Sequence, residues 1–115
     1  MQGKRLDRVN QLIREEISLL LQRELKDPRL GFVTVTEVEV SKDLRQAKIF
    51  VSVLGDENQW AASLTGLHSA RGFIRHWLRQ HLELRVIPEL QFRADRSMEH
   101  AARIQKLLQR LGEDG

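Results

Sequence analysis

The chain contains no cysteine, which excludes disulfides and every thiolate-based catalytic or metal site. No apolar run approaches the length needed to span a membrane. The opening Met1-Gln2-Gly3-Lys4-Arg5-Leu6 lacks the apolar region of a signal peptide. The four histidines, His68, His76, His81 and His100, show no ligand spacing; His76 and His81 are five apart, on different helical faces. Ser41, Ser52 and Ser69 lie in no nucleophile motif, and no phosphate-binding glycine loop of the NTPase or dinucleotide type occurs. Repeats and low-complexity stretches are absent. The expectation is one cytoplasmic domain over residues 1–115, with no metal, no cofactor, no membrane association and no catalysis.

What is present is an uneven distribution of charge. Residues 1–67 carry ten basic and ten acidic side chains, which cancel. Residues 68–110 carry nine basic and four acidic ones, and all four histidines join them. Arginine outnumbers lysine fourteen to five; its planar fork suits phosphate and base stacking better than an ammonium does. A basic second half points to an anionic partner.

Hydrophobic periodicity supplies the elements. Leu6, Val9, Ile13, Ile17 and Leu20 form the seam of a helix over 6–25, stopped at Asp27-Pro28. A strand over 32–40 follows with a change of phase: Val33 and Val35 share one parity, Val38 and Val40 the other. A bulge near Thr36-Glu37, or burial on both faces, accounts for this. Ser41–Leu44 forms a turn into a second strand, antiparallel to the first, whose inner row is Ala47, Ile49, Val51 and Val53. Asp56 or Asn58 caps the next helix. A third strand carries Leu90, Phe92 and Ala94 behind Pro88, and Ser97 caps a terminal helix over about 97–111, seamed by Ala101, Ile104, Leu107, Leu108 and Leu111 and ended at Gly112.

The middle helical stretch is interrupted. Trp60, Leu64 and Leu67 recur at helical spacing before Ser69-Ala70-Arg71-Gly72, and Phe73, Ile74, Trp77 and Leu78 after it. The centre of the apolar stripe jumps by roughly 75° between the two runs, more than a straight helix absorbs. The small residues permit a kink with exposed amides, and a β-branched residue at Gly72 is expected to stiffen it or clash. Arg71, Arg75 and Arg79 follow as an i, i+4, i+8 row away from the apolar stripe. Amides beside guanidinium groups suit a phosphate backbone. The paired carboxylates Glu37 and Glu39 read as ordinary solvent-facing groups, as do Glu15 and Glu16.

The order helix, strand, strand, helix, kink, helix, strand, helix describes an α+β two-layer domain of type II KH (K homology) character. Its helices lie on one face of a three-stranded mixed sheet, with a core over about 5–96. Local sequences narrow this: Arg8-Val9, Glu24-Leu25-Lys26-Asp27-Pro28-Arg29, Val33-Thr34-Val35-Thr36, Val38-Glu39-Val40-Ser41, Ala70-Arg71-Gly72, Pro88-Glu89-Leu90-Gln91-Phe92 and Asp95-Arg96-Ser97. On these residues the chain resembles the ribosome-binding factor A family. The resemblance implies a KH-like fold in which Ala70-Arg71-Gly72 replaces the Gly-x-x-Gly loop of ordinary KH domains; no Gly-x-x-Gly lies between the two central helical runs, and the one such spacing, Gly112-Glu113-Asp114-Gly115, falls at the far end of the sequence. It also implies binding of free, immature 30S small ribosomal subunits through 16S ribosomal RNA and support of late maturation and 5′-end processing. Cold adaptation and a functional link to a ribosome-associated GTPase are implied as well.

The expected RNA-binding residues are Ser69, Ala70, Arg71, Gly72, Arg75 and Arg79 at the kink and beyond it. Arg85 and Arg93 around the third strand join them, with Arg45 and Lys48 as a second surface. A monomer is expected. The competing reading is a protein-binding adaptor of the same fold whose basic face only keeps it soluble.

Overall fold

A computed structural model of the chain describes residues 2–25 and 27–113. Lys26, part of the resemblance, lies outside the described residues. The first helix, α1 (Gln2–Arg23), buries the expected seam of Val9, Ile13, Ile17 and Leu20. It begins four residues before Leu6, because Gln2–Arg5 extend the backbone without adding to the apolar stripe. The amides of Glu24 and Leu25 both donate to the Leu20 carbonyl at 2.9 Å and close the helix ahead of Asp27-Pro28.

Strands β1 (Phe32–Val40) and β2 (Gln46–Leu54) pair antiparallel, and β3 (Glu89–Ala94) pairs parallel to β2, giving the order β1-β2-β3. The phase change in β1 is a bulge: Val35 faces Val51, Glu37 faces Phe50, and Thr36 is the extra residue. The bulge turns Val33, Val35, Val38 and Val40 to one side. The freed Thr36 hydroxyl donates to Asp95 at 2.6 Å, tying β1 to the exit of β3. In β2, Ala47, Ile49, Val51 and Val53 all face the same way and are buried. The connecting turn holds Leu44 at φ 62, a left-handed conformation unusual for leucine. The Asp43 carboxylate fixes that turn by accepting from the Ser41 hydroxyl at 2.6 Å and the Arg45 amide at 3.1 Å.

Helices α2 (Glu57–Ser69) and α3 (Arg71–His81) join α1 over the buried face of the sheet. Asp56 is the cap of α2, accepting from the Gln59 amide at 2.9 Å. Trp60, Leu67, Ile74 and Leu78 are buried as the spacing predicted, whereas Phe73 is half exposed and Trp77 partly so. Each fully buried aliphatic or aromatic side chain contributes about 1.5–3 kcal/mol. The opposite face of the sheet has no helix layer, and the cross-strand pair Phe32 and Leu54 stands open at its end.

The last helix, α4 (Ser97–Glu113), departs from expectation. Ser97 is its first residue rather than its cap; the Asp95 carboxylate accepts the Ser97 amide at 2.9 Å. The helix runs through Gly112, and none of its side chains is buried, including Ile104, Leu107, Leu108 and Leu111. Its attachment is polar. The buried indole of Trp60 donates from Nε1 to Glu99 at 3.0 Å, while Arg96 stacks 4.2 Å over that ring and pairs with Glu57 at 2.7 Å. At 100° per residue Glu99 lies about 145° from the centre of the apolar stripe. The attached side of α4 and its apolar side are therefore different sides.

This division of labour is testable by urea denaturation. Glu99→Ala leaves the Trp60 Nε1 proton without its partner and is expected to cost about 1–3 kcal/mol. Ile104→Ala and Leu108→Ala are expected to stay within about 0.5 kcal/mol of the parent. Equal losses at all three positions would mean that the stripe is covered after all.

Candidate nucleic-acid interface

One residue separates α2 from α3. Ala70, at φ −90 and ψ 4, donates its amide to Gly66 and Leu67 carbonyls at 3.0 and 3.1 Å, and its carbonyl accepts from Ile74 at 2.9 Å. It therefore ends one helix and starts the next. No side chain caps α3. The first-turn amides of a helix have no partner within it, and the helix dipole places partial positive charge at the same end.

The three arginines of the expected row divide into two kinds. Arg71 is exposed and donates from Nε to the His68 carbonyl at 3.0 Å, which closes the end of α2 and holds the guanidinium across the break. Arg79 is exposed and, among the described residues, forms no ion pair. Arg75 is not a spare fork: Nε donates to the Pro88 carbonyl at 3.1 Å, Nη2 to Ile87 at 3.0 Å, and Nη1 lies 3.3 Å from Glu89. The i+4 spacing placed it on the right face, but it also brought it to the loop before β3, whose carbonyls lack strand partners.

The remaining basic residues lie elsewhere. Lys48 pairs in register with Gln91, and Arg93 with Phe50, on the sheet face that no helix covers. Arg93 donates to Gln91 at 3.1 Å. Arg45 is exposed at the start of β2, and Arg85 is exposed in the loop from α3 to β3. Strand parity thus puts Lys48 and Arg93 on the far side of the sheet from the helix break. One continuous basic surface is not formed.

Gly72 also departs from expectation. A Cβ there would meet nothing within 4 Å, so a β-branched residue has room. The crowded glycine beside the break is Gly66, where a Cβ would lie 3.1 Å from Leu30 Cδ2 and 3.4 Å from Arg29 Cβ. The α1–β1 loop packs there. The buried Ser63 hydroxyl accepts from the Gly31 amide at 3.3 Å and donates to the Arg29 carbonyl at 3.5 Å. Arg29 then reaches the break itself, with Nη1 3.3 Å from Ser69 Oγ. Spacing offered no way to join residue 29 to residue 69; the only signal was the Asp27-Pro28-Arg29 stretch of the resemblance.

Asp27 and Arg29 form a tight fork, closing to 2.6 Å between Nη2 and Oδ2. The Arg29 guanidinium, and then the Arg29 amide, hold the Asp27 carboxyl down at about 2. Asp95 is also held below the usual carboxylate range, first by the Thr36 hydroxyl and then by Ser97. His68, Ser69, Arg71, Leu64 and Thr65 line a shallow groove along the break. Chemically, this arrangement offers donors and positive charge to an anion approaching the start of α3.

Gly72→Ala, with open space and a helical backbone, is expected to raise stability by up to about 1 kcal/mol. Gly66→Ala should gain less, because Leu30 must move, and thermal melts of the two variants rank them; the reverse order would contradict the packing. Asp27 titrates lower in the folded chain than its ordinary value of about 3.9. Its contribution is therefore complete above about pH 4 and lost as pH falls towards about 2. Asp27→Asn should flatten stability between those limits, and an unchanged slope in urea melts would contradict the pairing.

Comparison with known proteins gives a consistent result. The profile of the family described as Ribosome-binding factor A matches residues 5–108. A ribosome-binding factor A from Thermomicrobium roseum is 48% identical over 114 residues, covering 99% of this chain and 88% of that protein. The solution structure of a Thermotoga maritima protein described as a putative ribosome binding factor A superposes with a TM-score of 0.70 at 37% identity, over 77% of this chain and 85% of that one. A homology model of the Thermus thermophilus ribosome binding factor A, fitted into a cryo-electron microscopy map of a 30S complex, superposes with a TM-score of 0.64 at 27% identity, over 75% of this chain and 90% of that one. With a family profile spanning nearly all of its elements, this chain belongs to the ribosome-binding factor A family.

Proposed function

We propose that the protein is an assembly factor that binds the immature 30S small ribosomal subunit through 16S ribosomal RNA and acts by binding rather than by catalysis. The observation that carries the RNA contact is the uncapped start of α3, flanked by the exposed guanidinium groups of Arg71 and Arg79. The fitted 30S complex of the Thermus thermophilus relative supports the choice of partner. Support of 5′-end processing, a role in cold adaptation, release linked to a ribosome-associated GTPase, action as a monomer and a cytoplasmic setting complete the reading on family grounds.

In this reading a phosphate sits at Ser69–Gly72, where first-turn amides and the helix dipole favour an anion. Arg71 and Arg79 neutralise its neighbours. Arg75 acts indirectly, by fixing the loop that leads into β3. Arg85 forms a flank of the same surface, whereas Lys48 and Arg93 form a separate one on the open sheet face, with Arg45 exposed in the turn before β2. The missing Gly-x-x-Gly loop favours a shaped, structured RNA surface over readout of single-stranded bases.

The adaptor reading retains one observation, the uncovered stripe of α4. RNase treatment of a pull-down separates the two, because a protein partner survives it. Filter binding of purified immature 30S subunits across a salt series tests the RNA face directly. Arg71→Ala with Arg79→Ala is expected to weaken binding at least tenfold and to flatten the logarithmic salt slope by about 1.5–2. Unchanged affinity and slope would remove this face. Arg75→Ala should instead lower the melting temperature, since it strips the Ile87 and Pro88 carbonyls of their donor.

A further inference from the structure

Arg29 reaches the helix break from outside α2 and α3. Its guanidinium has two edges. Asp27 occupies the side-on edge: Nε lies 3.0 and 3.2 Å from the two carboxylate oxygens, and Nη2 lies 2.6 Å from one of them. The end-on edge, formed by Nη1 and the second proton of Nη2, has among the described residues a single long contact, 3.3 Å to Ser69 Oγ. The arginine side chain is 44% exposed and the aspartate only 17%, so the carboxylate sits on the inner side and the open edge looks outward.

The stem is held as firmly as the head. The Arg29 amide donates to Asp27 at 2.9 Å, its carbonyl accepts from Ser63, and its Cβ packs where Gly66 leaves space. An arginine fixed in this way loses little rotamer freedom when it binds an anion. A loop staple alone would need only the Asp27 pair. It would not need a second fork aimed at the residue where α2 ends.

We propose that Arg29 is a further phosphate-binding residue of the RNA face, with Asp27 as its positioning residue. The end-on edge exchanges Ser69 Oγ for an oxygen of the phosphate at the start of α3. This assignment rests on the reading that the helix break faces ribosomal RNA, and it extends that face to the α1–β1 loop.

The test uses the full chain, purified immature 30S subunits and filter binding between about 50 and 200 mM salt. Arg29→Gln is expected to weaken binding about tenfold and to flatten the salt slope by about 1. Arg29→Lys keeps the charge but loses the planar fork; it should bind several-fold more weakly with the slope retained. Asp27→Asn separates positioning from charge. Removing an acid near RNA should tighten binding on electrostatic grounds alone, whereas loss of the brace should weaken it, and weakening is expected here.

Arg29→Gln with parental affinity and slope, beside losses at Arg71→Ala and Arg79→Ala, overturns the Arg29 assignment and leaves the RNA face standing. Parental binding in all of these variants removes the face and Arg29 together. Weaker binding of Arg29→Gln at an unchanged slope identifies a loop staple and overturns the phosphate contact. Tighter binding of Asp27→Asn overturns its positioning role. Should a variant fail to fold, arginine-selective modification of the parent chain by phenylglyoxal, mapped by mass spectrometry, answers the same question. Subunit binding is expected to protect Arg29, and equal reactivity free and bound overturns the proposal.

Discussion

The rest of the structure depends on one constraint: the sheet is buried on a single face. Three short strands shield a core only if every inner position in them is apolar and every helix lies on the same side. β2 meets this with strict alternation. β1 cannot, because its valines change parity at its middle, and the bulge at Thr36 restores them to one face. The helices face the same constraint. Trp60, Leu67, Ile74 and Leu78 meet it: at 100° per residue they lie within about 40° of one another, and all four are buried, two on each side of Ala70.

How the break is held bears on how binding couples to stability. The break is held from the α2 side by Arg71 Nε on the His68 carbonyl and from the α1–β1 loop by Arg29 on Ser69. On the other flank, Arg75 fixes the backbone entering β3. Charged side chains thus set the geometry on which the amides depend. A guanidinium that bonds backbone carbonyls in the free protein is pre-placed, but only the donors left over remain for a ligand. By that criterion Arg79 and the outer edges of Arg71 and Arg29 serve the proposed RNA face better than Arg75 does.

Much of this was legible in the residues. The α1 seam, the inner row of β2, the bulge and the interrupted helix all follow from period and parity, because one buried face leaves a strong apolar signature. Legibility failed where side chains serve more than one neighbour. Arg75 lay on the expected helical face, yet nothing local revealed that the loop at Ile87-Pro88 would pass beneath it. Leu44 takes a left-handed conformation that its type disfavours, because Asp43 and Ser41 fix the turn around it. The terminal helix has an apolar stripe as regular as that of α1, but periodicity says only that a stripe exists. What directs it outward is the polar clamp of Trp60, Glu99, Arg96 and Glu57, assembled from residues far apart in the chain.

Two glycines six residues apart make the last distinction. Gly66 is crowded from within: the loop that reaches the helix break passes so close that a Cβ would have to shift Leu30. Gly72 has nothing above it, adopts ordinary helical backbone and sits where alanine would support the helix better. Internal packing does not account for it. What a missing side chain leaves at that position is bare backbone beside unpartnered first-turn amides. Such a surface admits an approach closer than any Cβ would allow, which is what a phosphate bound by peptide N–H groups needs. A residue that the fold does not require, at the place where an anion would come nearest the chain, supports the proposed contact more narrowly than the charge of the surrounding arginines can.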